Sequence, residues 1–246
     1  MHVVVVTPTY QEAANIETVL RRTRRALPEA AIIVVDDASP DGTAEIAAGL
    51  VDELGEIQVV RRASKAGLGS AYRDGFARAL AQRATAVVEM DADLSHDPAA
   101  LPSLVAPVDA GTADLVIGSR YVPGGTIPSW AWHRRMLSRW GNRYAAALLG
   151  LRCHDATSGY RAYSAAALEQ IDLDAVRADG YGFQIEMAYL VTRAGGRVHE
   201  VPIDFVERVE GTSKMSIRIV VEALLLVTWW GVRDLLTRRR GVPDRR

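Results

Sequence analysis

Short apolar runs alternate with amphipathic segments through the first half of the chain. The runs predict strands, and the segments whose apolar residues recur every three or four positions predict helices. Strict alternation of the two indicates an α/β fold with a mainly parallel sheet flanked by helices. The predicted strands cover residues 3–6, 31–35, 57–60, 85–90 and 115–119, and the predicted helices cover residues 13–26, 42–51, 68–81 and 98–108.

The alternation ends near residue 120. Prolines and glycines between residues 123 and 128 mark a loop, and residues 155–161 are predicted to form a turn-rich connection. Further helices are predicted over residues 134–149, 183–193 and 217–236, and a further strand over residues 197–206. We therefore expect one domain over residues 1–216, followed by an amphipathic helix and a basic tail over residues 217–246.

Composition narrows the class of protein. At 246 residues, with 49% hydrophobic and 24% charged residues, the chain can bury the core of one large domain. A formal net charge of −1 argues against a general nucleic-acid binder, whose binding surface would be basic. The single cysteine, Cys153, excludes an internal disulfide and fits a reducing cytosol.

Neither a secretory leader nor a membrane-spanning helix is expected. The N-terminal residues lack the basic start of a signal peptide. The longest apolar stretch, residues 223–232, is too short for a helix that needs about 20 residues to cross a bilayer.

Carboxylates follow two of the predicted strands, at the strand ends where open α/β sheets bind their ligands. Asp36 and Asp37 follow one strand, and Asp91 and Asp93 follow another. Two carboxylates spaced i and i+2 can turn toward one hard cation, and Mg²⁺ or Mn²⁺ commonly joins such carboxylates to substrate phosphates. The first hypothesis is a metal-dependent enzyme that acts on a diphosphate. The alternative is a pair of solvated surface charges.

Other polar segments have both a binding and a structural interpretation. Asp37 either contacts a ligand or supports its own loop. Residues 61–71 place basic side chains and glycines before a helix, whose free N–H groups attract anions. Gly67 and Gly69 either let the backbone approach a phosphate or only shape the turn. His96, beside the acidic pair, is interpreted as a hydrogen-bonding support rather than a metal ligand.

At this point a family resemblance can be stated. The chain resembles the family-2 GT-A glycosyltransferases and, more narrowly, the dolichol- and polyprenol-phosphate mannose synthases of the actinobacterial type. The resemblance extends over residues 3–216 with its motifs in the expected order. These motifs are residues 8–12, 35–43, 65–72, 91–96, 118–121, 157–161, 180–186 and 208–215.

The resemblance implies a GT-A fold, GDP-mannose as donor, polyprenyl phosphate as acceptor, and Mg²⁺ or Mn²⁺ as cofactor. Asp91 and Asp93 would be the catalytic and metal-binding carboxylates, with Ser95 as a third metal ligand where family members often carry a longer Gln. The guanosine would be held by Pro8, Tyr10, Glu12, Val35 and Asp37, and the diphosphate by Asp91, Ala92 and Asp93. The remaining substrate-binding residues would be Lys65, Gly67, Arg120, Arg134, Ser138, Arg208 and Lys214.

The implied reaction is an inverting transfer. A phosphate monoester is already anionic at neutral pH, so it needs no general base, and direct attack on an α-linked donor gives a β-linked lipid phosphosugar. Three alternatives stay open: a UDP-glucose or other nucleotide-sugar donor, a non-catalytic nucleotide-sugar-binding module, and a dehydrogenase. The dehydrogenase lacks support because no G-x-G-x-x-G follows the first strand.

A lipid acceptor requires contact with a bilayer. The predicted helix over residues 217–236 carries Trp229 and Trp230 and precedes a run of arginines, which suits an interfacial helix on anionic lipid. The alternatives are a core helix with a basic tail and docking to an integral membrane protein partner. We expect a cytoplasmic protein, peripheral on the inner face of the cell membrane.

Overall fold

The computed structural model describes residues 1–128, 130–206 and 217–239. Within these residues, seven strands form one sheet in the order β3-β2-β1-β4-β6-β5-β7. The strands are β1 (Val3–Thr9), β2 (Ala31–Asp36), β3 (Ile57–Arg61), β4 (Ala86–Glu89), β5 (Leu115–Ser119), β6 (Arg161–Ser164) and β7 (Val198–Pro202). The helices are α1 (Ile16–Ala26), α2 (Thr43–Gly49), α3 (Val51–Leu54), α4 (Leu68–Ala81), α5 (Leu101–Asp109), α6 (Trp132–Leu149), α7 (Ala165–Glu169), α8 (Gly180–Arg193) and α9 (Ile217–Arg239).

The sheet is mainly parallel. β1 pairs in parallel with β2 on one side and β4 on the other, and β3 continues the parallel order beyond β2. The register matches Thr9 with Asp36 and Val6 with Glu89, so the carboxyl ends of these strands reach the same edge of the sheet. β6 runs antiparallel to both β4 and β5, and β7 pairs in parallel with β5.

Side chains on alternate positions of β1 pack on opposite faces of the sheet, as the period of two in a strand requires. Val4 and Val6 pack with residues of α4, α6, α8 and α9, whereas Val3 and Val5 pack with residues of α1 and α5. All seven residues of β1 are buried, because helices cover both faces. The expectation of a sheet flanked by helices is confirmed.

The structure extends some predicted elements and breaks others. β1 and β2 continue into Thr9 and Asp36, because these polar residues still form ladder hydrogen bonds. The predicted helix over residues 42–51 divides into α2 and α3, and the one over residues 98–108 begins as a 3₁₀ turn at Pro98–Ala100.

Other differences lie in the second half of the chain. α6 and α8 begin before their predicted first residues, 134 and 183. β7 ends at Pro202 rather than at residue 206, since proline lacks the N–H that would continue the ladder. The pattern missed β6 and α7, which have four and five residues and are too short to show a period.

Helix α9 packs against α6 and α8 and also exposes apolar residues. Ala223, Val227 and Trp230 are buried, whereas Leu225 and Trp229 are mostly exposed. The helix therefore has the buried face expected of a core helix and the exposed aromatic residue expected of an interfacial one. Of the helices in the described part of the chain, none combines the length and the hydrophobicity that a bilayer span requires.

We predict that Gly75→Ala destabilises the fold, because α4 approaches β1 closely at this residue. A Cβ at Gly75 would lie 2.2 Å from Cγ1 of Val6, which the strand holds in place. Overpacking of this kind costs about 2 kcal/mol, or roughly 4–8 °C in Tm for a chain of this size. Thermal unfolding monitored by circular dichroism measures the change.

The matched control is Gly49→Ala, at the end of α2, where a Cβ would meet nothing within 4 Å. This variant should be as stable as the wild type or slightly more stable, because alanine is the better helix residue. Equal Tm values for the two variants would contradict the close approach of α4 to β1.

Candidate active site

A cavity of about 830 Å³ opens at the carboxyl ends of the parallel strands. Most of the residues predicted from sequence to form the site line it, and they come from the end of β1, from the loops after β1, β2, β3, β4 and β5, and from the start of α6. The predicted residues in the wall are Pro8, Tyr10, Glu12, Asp37, Lys65, Gly67, Asp91, Ala92, Asp93, Ser95, Arg120 and Arg134. The fold thus brings together segments that are far apart in the chain.

The acidic pair lies in the loop that follows β4. The hydroxyl of Tyr72, on α4, donates a hydrogen bond of 2.8 Å to Oδ1 of Asp91. The amide of Ser95 donates one of 3.0 Å to Oδ1 of Asp93, in a turn that Leu94 closes with a φ of 60°. Both carboxylates are therefore oriented from within the protein, one by a neighbouring helix and one by its own loop.

Tyr72 remains a hydrogen-bond donor over the whole physiological pH range. Burial, together with the negative charges of Asp91 and Glu89, raises the pKa of its hydroxyl well above the ordinary value of 10. The proton that orients Asp91 is therefore always present.

The donor atoms around the acidic pair fit a hard divalent cation. Asp91, Asp93 and Ser95 all line the cavity. Ser95 is 2% exposed, and its Oγ has no hydrogen-bond partner within the described part of the chain, which leaves this oxygen for a ligand. Oxygen donors of this kind suit Mg²⁺ and Mn²⁺.

The protein supplies only part of a coordination shell. Among the described residues, no group of three or more His, Cys, Asp or Glu side chains is placed to hold a metal ion. Two carboxylates and a hydroxyl therefore suit a cation whose remaining ligands are water or phosphate oxygens.

His96 has its ring packed between aromatic side chains. The ring stacks on Tyr160 at 4.8 Å between centroids and meets Phe205 edge-on at 5.9 Å. The imidazole is 4% exposed, so it forms part of the packed wall beside the acidic pair. The interpretation of His96 as a hydrogen-bonding support stays a prediction.

A network of buried polar residues lies beneath Asp91. Tyr163 donates a hydrogen bond of 3.0 Å to Glu89, and the side-chain amide of Gln184 donates a second one. Arg161 donates to the carbonyl oxygens of Ala156, Ser158 and Gln184, each at 2.7 Å. Burial raises the pKa of Glu89 to about 7 even though the charge of Arg161 opposes the rise.

Gly159 allows this network to approach the acidic pair. A Cβ at residue 159 would lie 3.3 Å from the amide nitrogen of Gln184 and 3.5 Å from Oδ2 of Asp91. The lack of a side chain keeps open the space between the two groups. Sequence reasoning gave Gly159, Gln184 and Glu89 no role of their own, because their partners lie on other strands and helices.

Asp37 holds the loop that connects β3 with α4. Its carboxylate accepts hydrogen bonds from Arg62 at 2.8 Å and from the amides of Ala66 and Gly67 at 3.0 Å. The ammonium group of Lys65 then lies 3.6 Å from the centre of the Tyr10 ring. Asp37 therefore has the structural role that was one of its two interpretations, while it also lines the cavity.

Asp179 joins the first turns of α4 and α8, and sequence reasoning missed it. Its Oδ1 accepts hydrogen bonds from the amides of Gly69 at 2.6 Å and Gly180 at 3.0 Å. Asp179 thus supplies the anion that the start of α4 was predicted to attract. Residue 67 must be a glycine, because its φ is 94° and a Cβ there would lie 2.1 Å from Oδ2 of Asp179. An aspartate before Gly180 matches an N-cap, which is the sequence pattern that predicts its position.

On the other side of the cavity, Arg120 is held by Asp155. The guanidinium group donates to both carboxylate oxygens, at 2.6 and 2.7 Å, and to the hydroxyl of Thr157 at 2.8 Å. Burial alone would raise the pKa of Asp155, but the charge and hydrogen bonds of Arg120 lower this pKa below its ordinary value. Asp155 is another residue that sequence reasoning did not select.

Arg134 lies over the ring of Trp130, with its guanidinium carbon 4.0 Å from the ring centre. The guanidinium carbon of Arg120 is 5.5 Å from the same ring. Both arginines line the cavity, so they form a cationic wall with Trp130 packed between them.

Some predicted site residues do not reach the cavity wall. The side chain of Val35 is fully buried in the core beside Val6. Ser138, on α6, accepts a hydrogen bond of 2.7 Å from the hydroxyl of Tyr121. Arg208 and Lys214 lie outside the described residues.

Comparison with known proteins finds related sequences over most of the chain. The sequence model of the family described as Glycosyl transferase family 2 matches residues 4–172. A polyprenol monophosphomannose synthase from Mycolicibacterium smegmatis is 49% identical over 243 residues, which are 97% of this chain and 90% of the relative. An undecaprenyl-phosphate mannosyltransferase from Micrococcus luteus is 49% identical over 232 residues, covering 94% of this chain and 95% of the relative.

Solved structures share the fold. Glucosyl-3-phosphoglycerate synthase from Mycobacterium tuberculosis was solved in complex with Mn²⁺, UDP and glucosyl-3-phosphoglycerate. The match covers 99% of this chain and 81% of that protein's chain, with a TM-score of 0.63 and 24% identity. Mannosyltransferase PcManGT from Pyrobaculum calidifontis was solved in complex with GDP-Man and Mn²⁺. The match covers 95% of this chain and 64% of that protein's chain, with a TM-score of 0.66 and 21% identity. The architecture is that of the GT-A glycosyltransferases, which confirms the expected fold. This chain belongs to glycosyl transferase family 2.

We predict that Tyr72→Phe weakens metal binding, because it removes the hydrogen bond that orients Asp91. Loss of such an outer partner costs about tenfold in metal affinity. Titration of Mn²⁺ into the protein in the presence of a nucleoside diphosphate measures the effect. Tyr144→Phe, which removes a hydroxyl bonded to Thr228 far from the acidic pair, should leave the affinity unchanged. Equal affinities for the two variants would contradict the orienting role.

We predict that Glu89 makes the fold less stable as the pH rises. Burial raises the pKa of its carboxyl from the ordinary value of 4.5 to about 7 in the folded protein, so the folded state binds more protons than the unfolded state between these two pH values. Stability is then lost as the pH rises from 4.5 to 7, by on the order of 2 kcal/mol between pH 5 and 8.

Urea unfolding of the wild type and of Glu89→Gln, each in the presence of a chelator, tests this pH dependence. The difference between the free energies of unfolding of the two proteins should change by on the order of 2 kcal/mol between pH 5 and 8. A constant difference would show that Glu89 keeps one protonation state.

Proposed function

We propose that this protein transfers a mannosyl group from GDP-mannose to a polyprenyl phosphate, with inversion, to give a polyprenyl β-mannosyl phosphate. One observation carries the proposal: a single cavity holds a pair of carboxylates on one side and two arginines on the other. The first pair suits the diphosphate of a donor with its metal, and the second suits the phosphate of an acceptor. The relatives at 49% identity are named for mannosyl transfer to such lipids.

The donor's base would lie against the loops after β1 and β2. Glu12 and Asp37 place two carboxylates in that part of the wall, together with Pro8 and Tyr10. Guanine presents adjacent N–H donors on one edge, which a carboxylate can accept together, whereas uracil presents one. Glu12 would make this contact, because both oxygens of Asp37 already accept hydrogen bonds from the loop before α4, and Asp37 would instead shape the base pocket. An acidic side chain in this part of the wall therefore supports a guanine nucleotide. Val35 would contribute through its backbone, since its side chain is buried.

Asp91, Asp93 and Ser95 would hold the divalent cation, with Ala92 between them against the diphosphate. When bound, a cation at this position supplies Lewis-acid stabilisation of the charge that develops on the leaving diphosphate. Lys65 and Gly67, at the start of α4, would face the donor from the opposite loop.

The acceptor needs positioning rather than activation. Arg120 and Arg134 would bind the phosphate oxygens and aim one of them at the anomeric carbon. Arg120 is already fixed by Asp155, so little conformational freedom is lost when the phosphate binds. Ser138, Arg208 and Lys214 complete the proposed set of phosphate-binding residues. The protein would work as a peripheral protein on the inner face of the cell membrane, at the lipid surface or on an integral membrane partner.

A transfer assay tests the proposal. Purified protein, Mg²⁺ or Mn²⁺ and a mid-length polyprenyl phosphate are incubated with radiolabelled GDP-mannose or UDP-glucose in parallel. A mannolipid should form with GDP-mannose, and no lipid product should form with UDP-glucose. Addition of a chelator should prevent formation of the mannolipid. Formation of a glucolipid would agree with the proposed mechanism but contradict GDP-mannose as the donor. The absence of any lipid product would contradict the proposed transfer activity.

We predict that Asp93→Asn loses most of the turnover at saturating metal, because the neutral amide is a poorer ligand for a hard cation. Asp97→Asn is the control, since Asp97 is an exposed carboxylate four residues further along that pairs with Arg22. Initial rates of mannolipid formation measure both variants. Turnover near the wild-type value in Asp93→Asn would contradict the metal-dependent mechanism.

A further inference from the structure

A buried hydrogen-bond donor in the cavity wall lacks an acceptor. The indole nitrogen of Trp130 is buried and makes no hydrogen bond within the described part of the chain, although the residue lines the cavity. Trp130 as a whole is 5% exposed. A buried tryptophan N–H usually finds an acceptor, because an unpaired donor has lost its hydrogen bond to water without replacement. The unpaired N–H therefore indicates that a ligand supplies the acceptor.

The charges around Trp130 indicate that this acceptor is an anion. The guanidinium carbons of Arg134 and Arg120 lie 4.0 and 5.5 Å from the centre of its ring. Two positive charges beside the indole favour an anionic oxygen over a neutral carbonyl oxygen. An anionic acceptor also gives the stronger, charge-assisted hydrogen bond.

Neighbouring segments hold Trp130 in place. The backbone carbonyl of Trp130 accepts a hydrogen bond of 3.2 Å from the guanidinium group of Arg135. Its ring meets the ring of Phe205 edge-on, with 5.7 Å between the ring centres. The amide of Phe205 in turn donates a hydrogen bond of 3.0 Å to the carbonyl of Thr126, in the loop before α6. An indole held in this way loses little conformational freedom when a ligand binds.

A phosphate monoester suits three donors of this kind better than a carboxylate does. Its three terminal oxygens can accept separately from Arg120, Arg134 and Trp130, whereas a carboxylate has two oxygens. The indole N–H is neutral, so it restricts the orientation of the phosphate without adding a third positive charge. An attacking phosphate oxygen would therefore keep more of its nucleophilicity than it would beside a third arginine.

We propose that the indole N–H of Trp130 donates a hydrogen bond to a phosphate monoester that Arg120 and Arg134 bind, and that this bond orients the phosphate in the cavity. The assignment of this phosphate to a lipid acceptor rests on the proposed function. The indole nitrogen is covered by its neighbours, so a small movement of the ring or of Arg134 accompanies binding. Trp130 is then a substrate-binding residue that acts through its N–H.

Nuclear magnetic resonance of the tryptophan side chains tests the proposal. The chain contains five tryptophans, so ¹⁵N-labelled protein should give five indole N–H signals, and Trp130→Phe identifies the signal of residue 130. Geranyl phosphate, a water-soluble isoprenyl phosphate, is titrated into the full chain without donor or vesicles. The proton signal of the Trp130 indole should move downfield as the hydrogen bond forms. Geraniol, which lacks the phosphate, should not move this signal downfield.

The absence of a downfield shift, at a concentration at which calorimetry shows geranyl phosphate to be bound, would overturn the proposal. A failure of geranyl phosphate to bind at all would also overturn it. The donor is a second source of phosphate, so GDP with Mg²⁺ is titrated in parallel. A downfield shift with GDP at least as large as that with geranyl phosphate would overturn the proposal by assigning the N–H to the diphosphate.

Transfer kinetics with a short-chain acceptor in solution give a second readout. Trp130→Phe keeps an aromatic ring but removes the N–H, so the KM for the acceptor should rise about tenfold while the KM for the donor stays unchanged. The matched control is Trp132→Phe, which alters a side chain that is 70% exposed and should keep the wild-type KM. Equal acceptor KM values for the two variants would contradict the role of Trp130.

Circular dichroism checks that each variant is folded. If Trp130→Phe does not fold, benzothienylalanine in place of Trp130 is the second variant, because it keeps the two-ring shape and replaces the N–H with sulfur. It should show the same loss of one indole signal and the same rise in KM. The shift of the indole signal requires neither donor nor turnover, so a failure of the proposed function leaves the binding result meaningful. Transfer by a protein whose Trp130 signal does not move would contradict this inference alone.

Discussion

Insertion of the antiparallel strand β6 between β4 and β5 is the constraint on which the cavity depends. The register places Arg161 opposite both Glu89 and Ile117, in the middle of the sheet. A guanidinium group buried there must find acceptors, and it takes the carbonyl oxygens of the loop that precedes β6. The same loop carries Gly159 to Asp91 and Thr157 to Arg120. The buried charge thus determines the position of the loop that joins the two sides of the cavity.

Internal anions organise the rest of the site. Asp37 closes the loop before α4, Asp179 joins the starts of α4 and α8, and Asp155 fixes Arg120. Each carboxylate binds backbone amides or a guanidinium group that would otherwise be free to move. A cavity prepared in this way loses little conformational entropy when a ligand binds.

The arrangement of helices separates the chemical roles in space. The loops proposed to face the nucleotide come from the parallel half of the sheet, and the cationic wall comes from the segment after β5 and the first turn of α6. Helices α6 and α9 each pack one side against the core and expose apolar residues on another side.

The local pattern was enough to predict most of the first half of the fold. Repeated apolar runs predict strands that helices bury on both faces, and the positions of Asp91 and Asp93 after one run predict where a cation binds. Motifs in a characteristic order carried the family resemblance, since each motif is contiguous in sequence. These features depend on neighbours within a few residues, and sequence contains that information directly.

Contacts between distant segments were decided by the tertiary structure. Strand β6 has four residues, and its position follows from pairing with β4 and β5 rather than from its own pattern. The partners of Asp91, Arg120 and Gly69 are 19, 35 and 110 residues away in the chain. Likewise, α6 and α9 are far apart in the chain and pack side by side only in the folded protein. Sequence determined which groups are present, and packing determined which of them meet, because the energy of a buried contact depends on distance in space.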